Sequence, residues 1–333
     1  MENSIDFFVF SPPRCGSTLL CALISSGTDI LALNDTFIFR QYSEHVGYQK
    51  KPKHKKFVNK IKNKTKKAVK IVSPWAFKKA RLSKEIVSTP ESYIPCTKHL
   101  PPSGYSPPKT EVISYVKSLI ERLERPIYII GNRKKSWKKI YTDNMNAKKV
   151  WEKYNESGKN VRDLMDIVFK LMIPSKYERK KIYGEKTPFH LYYSDWIREI
   201  YDEPKKIILV RHPIPAVSSI WKRSSSKLRD AINQYMSYFS ERYDELYRSS
   251  NTLLVKYEKI IKEPKEELRR VYTFLGSRVT REDINVKFDY DFGHGYVGEG
   301  IDKSRDEKLR NSLNKKQKRE IRDRCAKVID KFY

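Results

Sequence analysis

Residues 11–18 read SPPRCGST and lie between two apolar stretches, IDFFVF before and LLCALI after. Arg14 is a fixed cation, Gly16 lets a bound group come close to the backbone, and Ser17 and Thr18 supply hydroxyl donors. On a turn between a buried strand and a helix, such residues present backbone N–H groups and the positive end of a helix dipole, which suits a phosphate or sulfate. Arg14, Cys15, Gly16, Ser17 and Thr18 therefore form a candidate anion-binding loop. It is not the nucleotide-binding pattern GxxxxGK followed by Ser or Thr. No lysine precedes the Ser-Thr pair, and the arginine stands on the strand side of the glycine. Taken alone, the segment also reads as an ordinary capped helix start.

A second junction of the same kind narrows the choice. In KKIILVRHPIPAVSSIWKR, Arg211 closes an apolar strand and Ser219 follows eight residues later on the next helix, so both can meet one further anion at the same sheet edge. The elements that must place these residues follow from hydrophobic spacing. Residues 5–10, 126–133, 205–211 and 251–258 read as strands, the first as one buried on both faces. Residues 17–26, 111–125, 161–173, 190–201, 212–223, a longer stretch following it through 247, and 264–275 read as helices, the last opened by Pro264. Residues 28–110 read as irregular, with 40–110 a basic insertion outside the sheet or an acceptor-side region. The tail, 311–332, reads as a basic helix packed on the domain. Strands alternating with helices predict an α/β fold, a parallel sheet with helices on both faces in a single domain over 1–333. Ligands of such sheets bind at the carboxyl ends of the strands.

Composition bounds the partners. The chain has 333 residues, 39% of them hydrophobic, enough to bury a large core. No apolar run approaches the roughly 20 residues of a membrane span, and the N-terminus lacks a signal-peptide pattern, so a soluble, cytoplasmic or otherwise intracellular protein is expected. Cys15, Cys21, Cys96 and Cys325 have no CxxC spacing, which predicts free thiols and no metal site. The formal charge is +29, and residues 49–70 alone hold eleven lysines. That segment suits a solvated face or the recognition of an acidic substrate. It lacks the interleaved aromatics and the zinc-finger or helix-turn-helix patterns of nucleic-acid binders.

PPRCGSTLL together with VRHPIPAVSSIWKR resembles the paired signature of the sulfotransferases that use 3′-phosphoadenosine 5′-phosphosulfate (PAPS). GEKTP, residues 184–188, and LLVKYEKIIKEPKEELRRVYTFLG, residues 253–276, are similar to that family as well. The resemblance covers residues 5–26 and 181–276. It implies a P-loop-like α/β fold in which the first motif holds the 5′-phosphosulfate while Arg211 and Ser219 hold the 3′-phosphate. The arginine before Cys15-Gly16 looks more like the tyrosylprotein sulfotransferases and related bacterial enzymes than the cytosolic small-molecule enzymes, which generally carry lysine there. His212 is a departure, since aspartate usually follows that arginine.

What the resemblance implies chemically is an in-line transfer of a sulfuryl group from PAPS to a hydroxyl acceptor. PAP is the product, no metal is needed, and positioning and charge stabilisation carry the catalysis. Arg14 and Lys186 are then the catalytic cations. Asp35 is the candidate base, in the place where the tyrosylprotein branch has a glutamate, although it also reads as a helix cap. Glu44, His45 and His99 are reserves for that role, and Arg223 and Tyr257 are further candidate cofactor contacts. Candidate acceptors include an acidic peptide or a glycan. Two other readings stay open: a P-loop-like kinase or other phosphotransferase, and a nonenzymatic binder of acidic polymers on the same fold.

Overall fold

The apolar runs of the sequence become the strands of one parallel sheet. In the computed structural model, which describes residues 5–26, 28–49, 100–124, 141–188, 190–224, 227–239, 241–279, 284 and 301–333, five strands are present. They are β1 (Phe7–Phe10), β2 (Ile30–Asn34), β3 (Ile182–Lys186), β4 (Lys205–Val210) and β5 (Thr252–Lys256), in the order β2-β3-β1-β4-β5. All neighbouring pairs are parallel. Central β1 is buried at every position, as a strand covered on both faces must be.

Helices fill the crossovers. α1 (Ser17–Ser25) follows β1, and α2 (Ile38–Gln49) follows β2. Then α3 (Lys109–Glu124), α4 (Ala147–Ser157) and α5 (Val161–Met172) lead to β3. Between β3 and β4 lies α6 (Ser194–Tyr201), and between β4 and β5 lie α7 (Pro213–Ser224), α8 (Leu228–Met236) and α9 (Glu241–Arg248). After β5 come α10 (Tyr257–Lys262) and α11 (Pro264–Leu275), then a tail of α12 (Ser304–Asn311), α13 (Lys315–Arg324) and α14 (Ala326–Phe332). Local signals set several ends. Asn160 and Asp163 cap α5 reciprocally at 3.1 and 3.2 Å, with Leu164, Met165, Val168 and Phe169 on its buried side. α11 opens on Pro264 and stops at Gly276, where φ is 90°. No helix among the described residues is long and apolar enough to cross a membrane.

Three expectations need correction. The region expected to be irregular from residue 28 begins instead with an edge strand and a helix, β2 and α2. β2 is five residues long and takes its place by pairing with β3 from Ile30↔Ile182 to Asn34↔Lys186, a partner about 150 residues away. Residues 50–99 and the expected strand at 126–133 lie outside the described residues. The longer helix expected after 212–223, running through 247, is two, α8 and α9. The single tail helix is also three, because Asn314 opens a new one through a capping box with Gln317 and Cys325 leaves the helical region at φ −105°, ψ 13°. α12 and α13 pack on α7, so the tail covers the helix that carries Ser219.

Gly184 shows how tightly the sheet is covered. It pairs with Phe7, and a Cβ added there would fall 2.1 Å from that ring. Gly184→Ala should lower stability by about 1–3 kcal/mol, measured as a shifted urea midpoint. An unchanged midpoint would mean that the Phe7 ring can move aside.

Candidate active site

The carboxyl ends of β1, β2, β3 and β4 deliver the site. At the end of β1 the chain turns through Arg14, at φ 66°, and Gly16, at φ 92°. Gly16 is the N-cap of α1 with no side-chain cap, so the first N–H groups of that helix have no acceptor within it. The ring of Tyr257, at the end of β5, lies against the glycine, where an added Cβ would fall 2.3 Å from it. Only glycine fits both the backbone conformation and that contact.

The first cluster joins this loop to β4 and α7. Arg14 Nε donates to Ser219 Oγ at 3.0 Å, and Arg211 Nη1 donates to the Arg14 carbonyl at 2.8 Å. The Arg211 guanidinium lies 4.2 Å from the centre of the Tyr257 ring, a cation–π contact that desolvation strengthens. Its Nε and Nη2 donate to Asp306 Oδ1 of α12 at 3.0 and 2.5 Å. Asp306 also takes Arg310 at 3.2 Å. Arg211, only 4% exposed, is thus held on three sides, and one of its partners is already an anion.

The second cluster lies where β2 meets β3. Lys186 Nζ contacts Asn34 Oδ1 at 2.9 Å and Asp35 Oδ1 at 3.0 Å. Thr18 Oγ1, in the first turn of α1, donates to the same Asn34 oxygen at 3.3 Å. The Lys186 side chain is 3% exposed and that of Asp35 22%. Asn34 Nδ2 is buried and has no partner among the described residues, so one donor is left over beside the lysine. Tyr141 fixes Asn34 from behind, its hydroxyl accepting from the Asn34 N–H at 3.2 Å and donating to the Asn34 carbonyl at 3.1 Å.

The model of the sulfotransferase family matches residues 6–281. The chain belongs to the sulfotransferase family. Solved structures similar to it include the sulfotransferase domain of the Synechococcus PCC 7002 olefin synthase, at 15% identity over 98% of this chain and 96% of that one, TM-score 0.49. The sulfotransferase STF9 from Mycobacterium avium matches at 14% identity over 99% of this chain and 77% of that one, TM-score 0.43. A retinol dehydratase solved with androsterone and the inactive cofactor PAP matches at 15% identity over 97% and 80%, TM-score 0.37. A search of curated protein sequences gave no significant match.

Against this sulfotransferase frame, most of the residues singled out from sequence fall into the two clusters. Arg14, Gly16, Arg211, Ser219 and Tyr257 meet in the first. Thr18, Asp35 and Lys186 meet in the second, while Ser17 starts α1 between them. Cys15 sits in the loop with its thiol fully buried, and burial pushes that thiol up to about 12. It can contribute backbone but no thiolate chemistry. Arg223 is exposed in the last turn of α7, and among the described residues no contact ties it to either cluster. The reserves are engaged elsewhere or not described. Glu44, despite burial, is held low by Arg122 and Arg40 at 2.8 and 2.7 Å. His45 bonds Ser114 at 2.9 Å, and His99 lies outside the described residues.

Sequence reading missed Asn34 and Asp306. Asn34 stands in the stretch expected to be irregular, and Asp306 reaches Arg211 across 95 positions, a separation that carries no local signal. The departure at His212 also finds its reason. His212 Nδ1 accepts the Ile214 N–H at 3.2 Å, so a neutral imidazole serves as the cap of α7, a role a carboxylate can also fill. Burial, aided by Arg310, lowers its pKa from 6.5 to about 4. The stability it contributes is full above about 6.5 and is lost as pH falls through about 4. Between pH 7 and 4, the Tm of the wild type should therefore fall further than that of His212→Asn, which keeps an acceptor that does not titrate. Parallel Tm curves would remove the histidine from the pH dependence.

Proposed function

We propose that the protein transfers a sulfuryl group from PAPS to a hydroxyl acceptor by in-line displacement. The observation that carries this reading is a pair of anion-suited positions joined by one side chain. Arg14 belongs to the glycine loop at the N-terminus of α1 and also bonds Ser219 beside Arg211. A donor with a phosphosulfate at one end and a 3′-phosphate at the other needs two such positions, whereas a nucleotide without the 3′-phosphate needs one. The residues fit such a donor: Gly16 leaves the first N–H groups of α1 without a side-chain cap, Asn34 Nδ2 is an unused buried donor, and Arg211 already accommodates a carboxylate.

When bound, PAPS would supply an activated sulfuryl group and a nucleotide leaving group. The chain's own residues then have separable tasks. The first-turn N–H groups of α1, with Arg14, hold negative charge at the loop. Lys186, nearly buried and fixed by Asn34 and Asp35, adds a cation where charge grows. Asp35, the more exposed partner of that pair, takes the proton of the acceptor hydroxyl. Arg211 and Ser219 hold the 3′-phosphate, with Asp306 yielding its place on the guanidinium. The +29 charge of the chain favours an acidic acceptor such as a peptide or glycan and speeds its encounter at low salt.

Two measurements test this reading. In a thermal-shift comparison, 3′,5′-ADP at about 100 times its Kd should add about 2.7 kcal/mol of stability, with much weaker responses to 5′-AMP, ADP and Mg-ATP. Ser219→Ala should lose that preference for the 3′-phosphate. A response to Mg-ATP alone would favour a phosphotransferase instead. Lys186→Ala should reduce turnover by about 100-fold, the equivalent of about 3 kcal/mol, while leaving the Kd for 3′,5′-ADP nearly unchanged. Equal losses in binding and turnover would make Lys186 a binding residue only.

A further inference from the structure

Behind the Asp35–Lys186 pair, on the opposite face of β3, a carboxylic side chain is sealed in the core. Glu185 is 0% exposed, as are Thr36, Thr187 and His190. Thr36 and Thr187 both donate their hydroxyls to Glu185 Oε1, the latter at 2.8 Å. The other oxygen, Oε2, lies 2.7 Å from His190 Nε2 but outside hydrogen-bond geometry, and among the described residues neither atom has a hydrogen-bond partner. The His190 ring is enclosed by Phe8, Phe10 and Phe39, with ring centres at 5.9, 6.2 and 5.4 Å. Each threonine adjoins a residue of the candidate pair, Thr36 following Asp35 and Thr187 following Lys186.

The backbone that these bonds hold is strained. Asp35 and Phe37 both take left-handed φ values, 57° and 58°, which cost non-glycine residues free energy and persist only where the surroundings enforce them. Three contacts do so. The Asp35 N–H donates to the Lys186 carbonyl at 2.5 Å, the Phe37 N–H donates to Thr187 Oγ1 at 3.2 Å, and Thr36 between them is bonded to Glu185.

We propose that Glu185 is a positioning residue which, as a protonated acid, ties Thr36 to Thr187 and so sets Asp35 against Lys186. This rests on the reading of Asp35 and Lys186 as the reacting pair. With Oε1 accepting two hydroxyl bonds, the proton belongs on the otherwise unbonded Oε2, beside His190. The electrostatics agree: burial raises Glu185 to about 8, against the lowering by Thr36, Thr187 and Lys186 and with the help of Asp35. Burial, together with Lys186, lowers His190 to about 3, so its ring is neutral and puts no competing positive charge beside the acid. Tyr115 of α3, Tyr201 of α6 and Cys21 of α1 also face this carboxyl, and burial keeps all three uncharged. Lys186 is therefore the cation next to Glu185, and it is committed to Asp35 and Asn34. Ionising Glu185 would place a second carboxylate in competition for it.

Glu185→Gln keeps this arrangement, its oxygen accepting from both threonines and its amide N–H facing His190. Glu185→Ala and Thr36→Val undo it, the second without removing the buried acid. Release of 3′,5′-ADP from PAPS, with p-nitrophenol or water as the acceptor, gives kcat, and equilibrium binding of 3′,5′-ADP gives Kd. At pH 7, Glu185→Gln should stay near wild type, whereas Glu185→Ala should lose about 100-fold in kcat with Kd unchanged. If Glu185→Ala does not fold, the loss in kcat is read from Thr36→Val. The wild-type rate should decline as pH rises through about 8, and that limb should be missing in Glu185→Gln. Wild-type stability should also fall between pH 4.5 and about 8, because the folded state there binds the extra proton, and Glu185→Gln should lack that component. Loss of kcat in Glu185→Gln equal to that in Glu185→Ala, full kcat in Thr36→Val, or an alkaline limb unchanged by Glu185→Gln would overturn the proposal. Absence of turnover in a wild type that does not bind 3′,5′-ADP would instead overturn the sulfuryl-transfer reading, and this proposal with it.

Discussion

A parallel sheet covered on both faces leaves its chemistry only one place to emerge, the edge where the strands end. Everything at the site depends on how neighbouring strands are paired there. The decisive register is Asn34↔Lys186, the last pair between β2 and β3. It sets the lysine beside Asn34 and Asp35 on one face and leaves Glu185 on the other. A slip of one residue would exchange those faces, sending the ammonium group of Lys186 among Phe8, Phe39 and His190. On the other side of β3, Gly184 and Phe7 help to hold its register with β1, because the ring fits over a strand position without a side chain.

Charged groups at such an edge must be matched before any ligand arrives. Buried ions cost several kcal/mol each unless paired. Lys186 is matched by Asp35 and Asn34, Arg211 by Asp306 and the Arg14 carbonyl, and Arg14 is tied to Ser219. These pairs do more for orientation than for stability. Each cation is held in place by short contacts from a different element, so the site draws its geometry from the sheet, from α1 and α7, and from the tail at once.

The parts of this arrangement legible in sequence were those with strong local signals. β1 with α1 and β4 with α7 are apolar runs that break into glycine-, proline- and arginine-containing turns, and both appear where their patterns put them. Lys186 stood out only through its EKTP context, since lysine is common throughout the chain. β2 was hidden because ILALN is short and lies beside a long basic stretch. Its strand character comes from β3, which no local pattern foretells. Asp306 and the Glu185 cluster were illegible for a related reason. Their meaning lies in contacts across 95 and 149 positions, where a carboxylate looks in sequence like any other acidic residue.

The seat of Asp306 on Arg211 bears on how any anion would be recognised there. A bare guanidinium must shed its water before it can grip a ligand. Arg211 has already shed most of it, resting on the Tyr257 ring with a carboxylate across two of its nitrogens. Recognition at this point would then be an exchange of one anion for another, with an affinity set by the difference between the two. Such an exchange would favour a dianionic, tetrahedral group over a singly charged one. It also weakens the response to added salt, because the arginine is never left to attract loose counterions. Release of the incoming group would be helped in the same way, since α12 would offer Arg211 its old partner back as the ligand leaves.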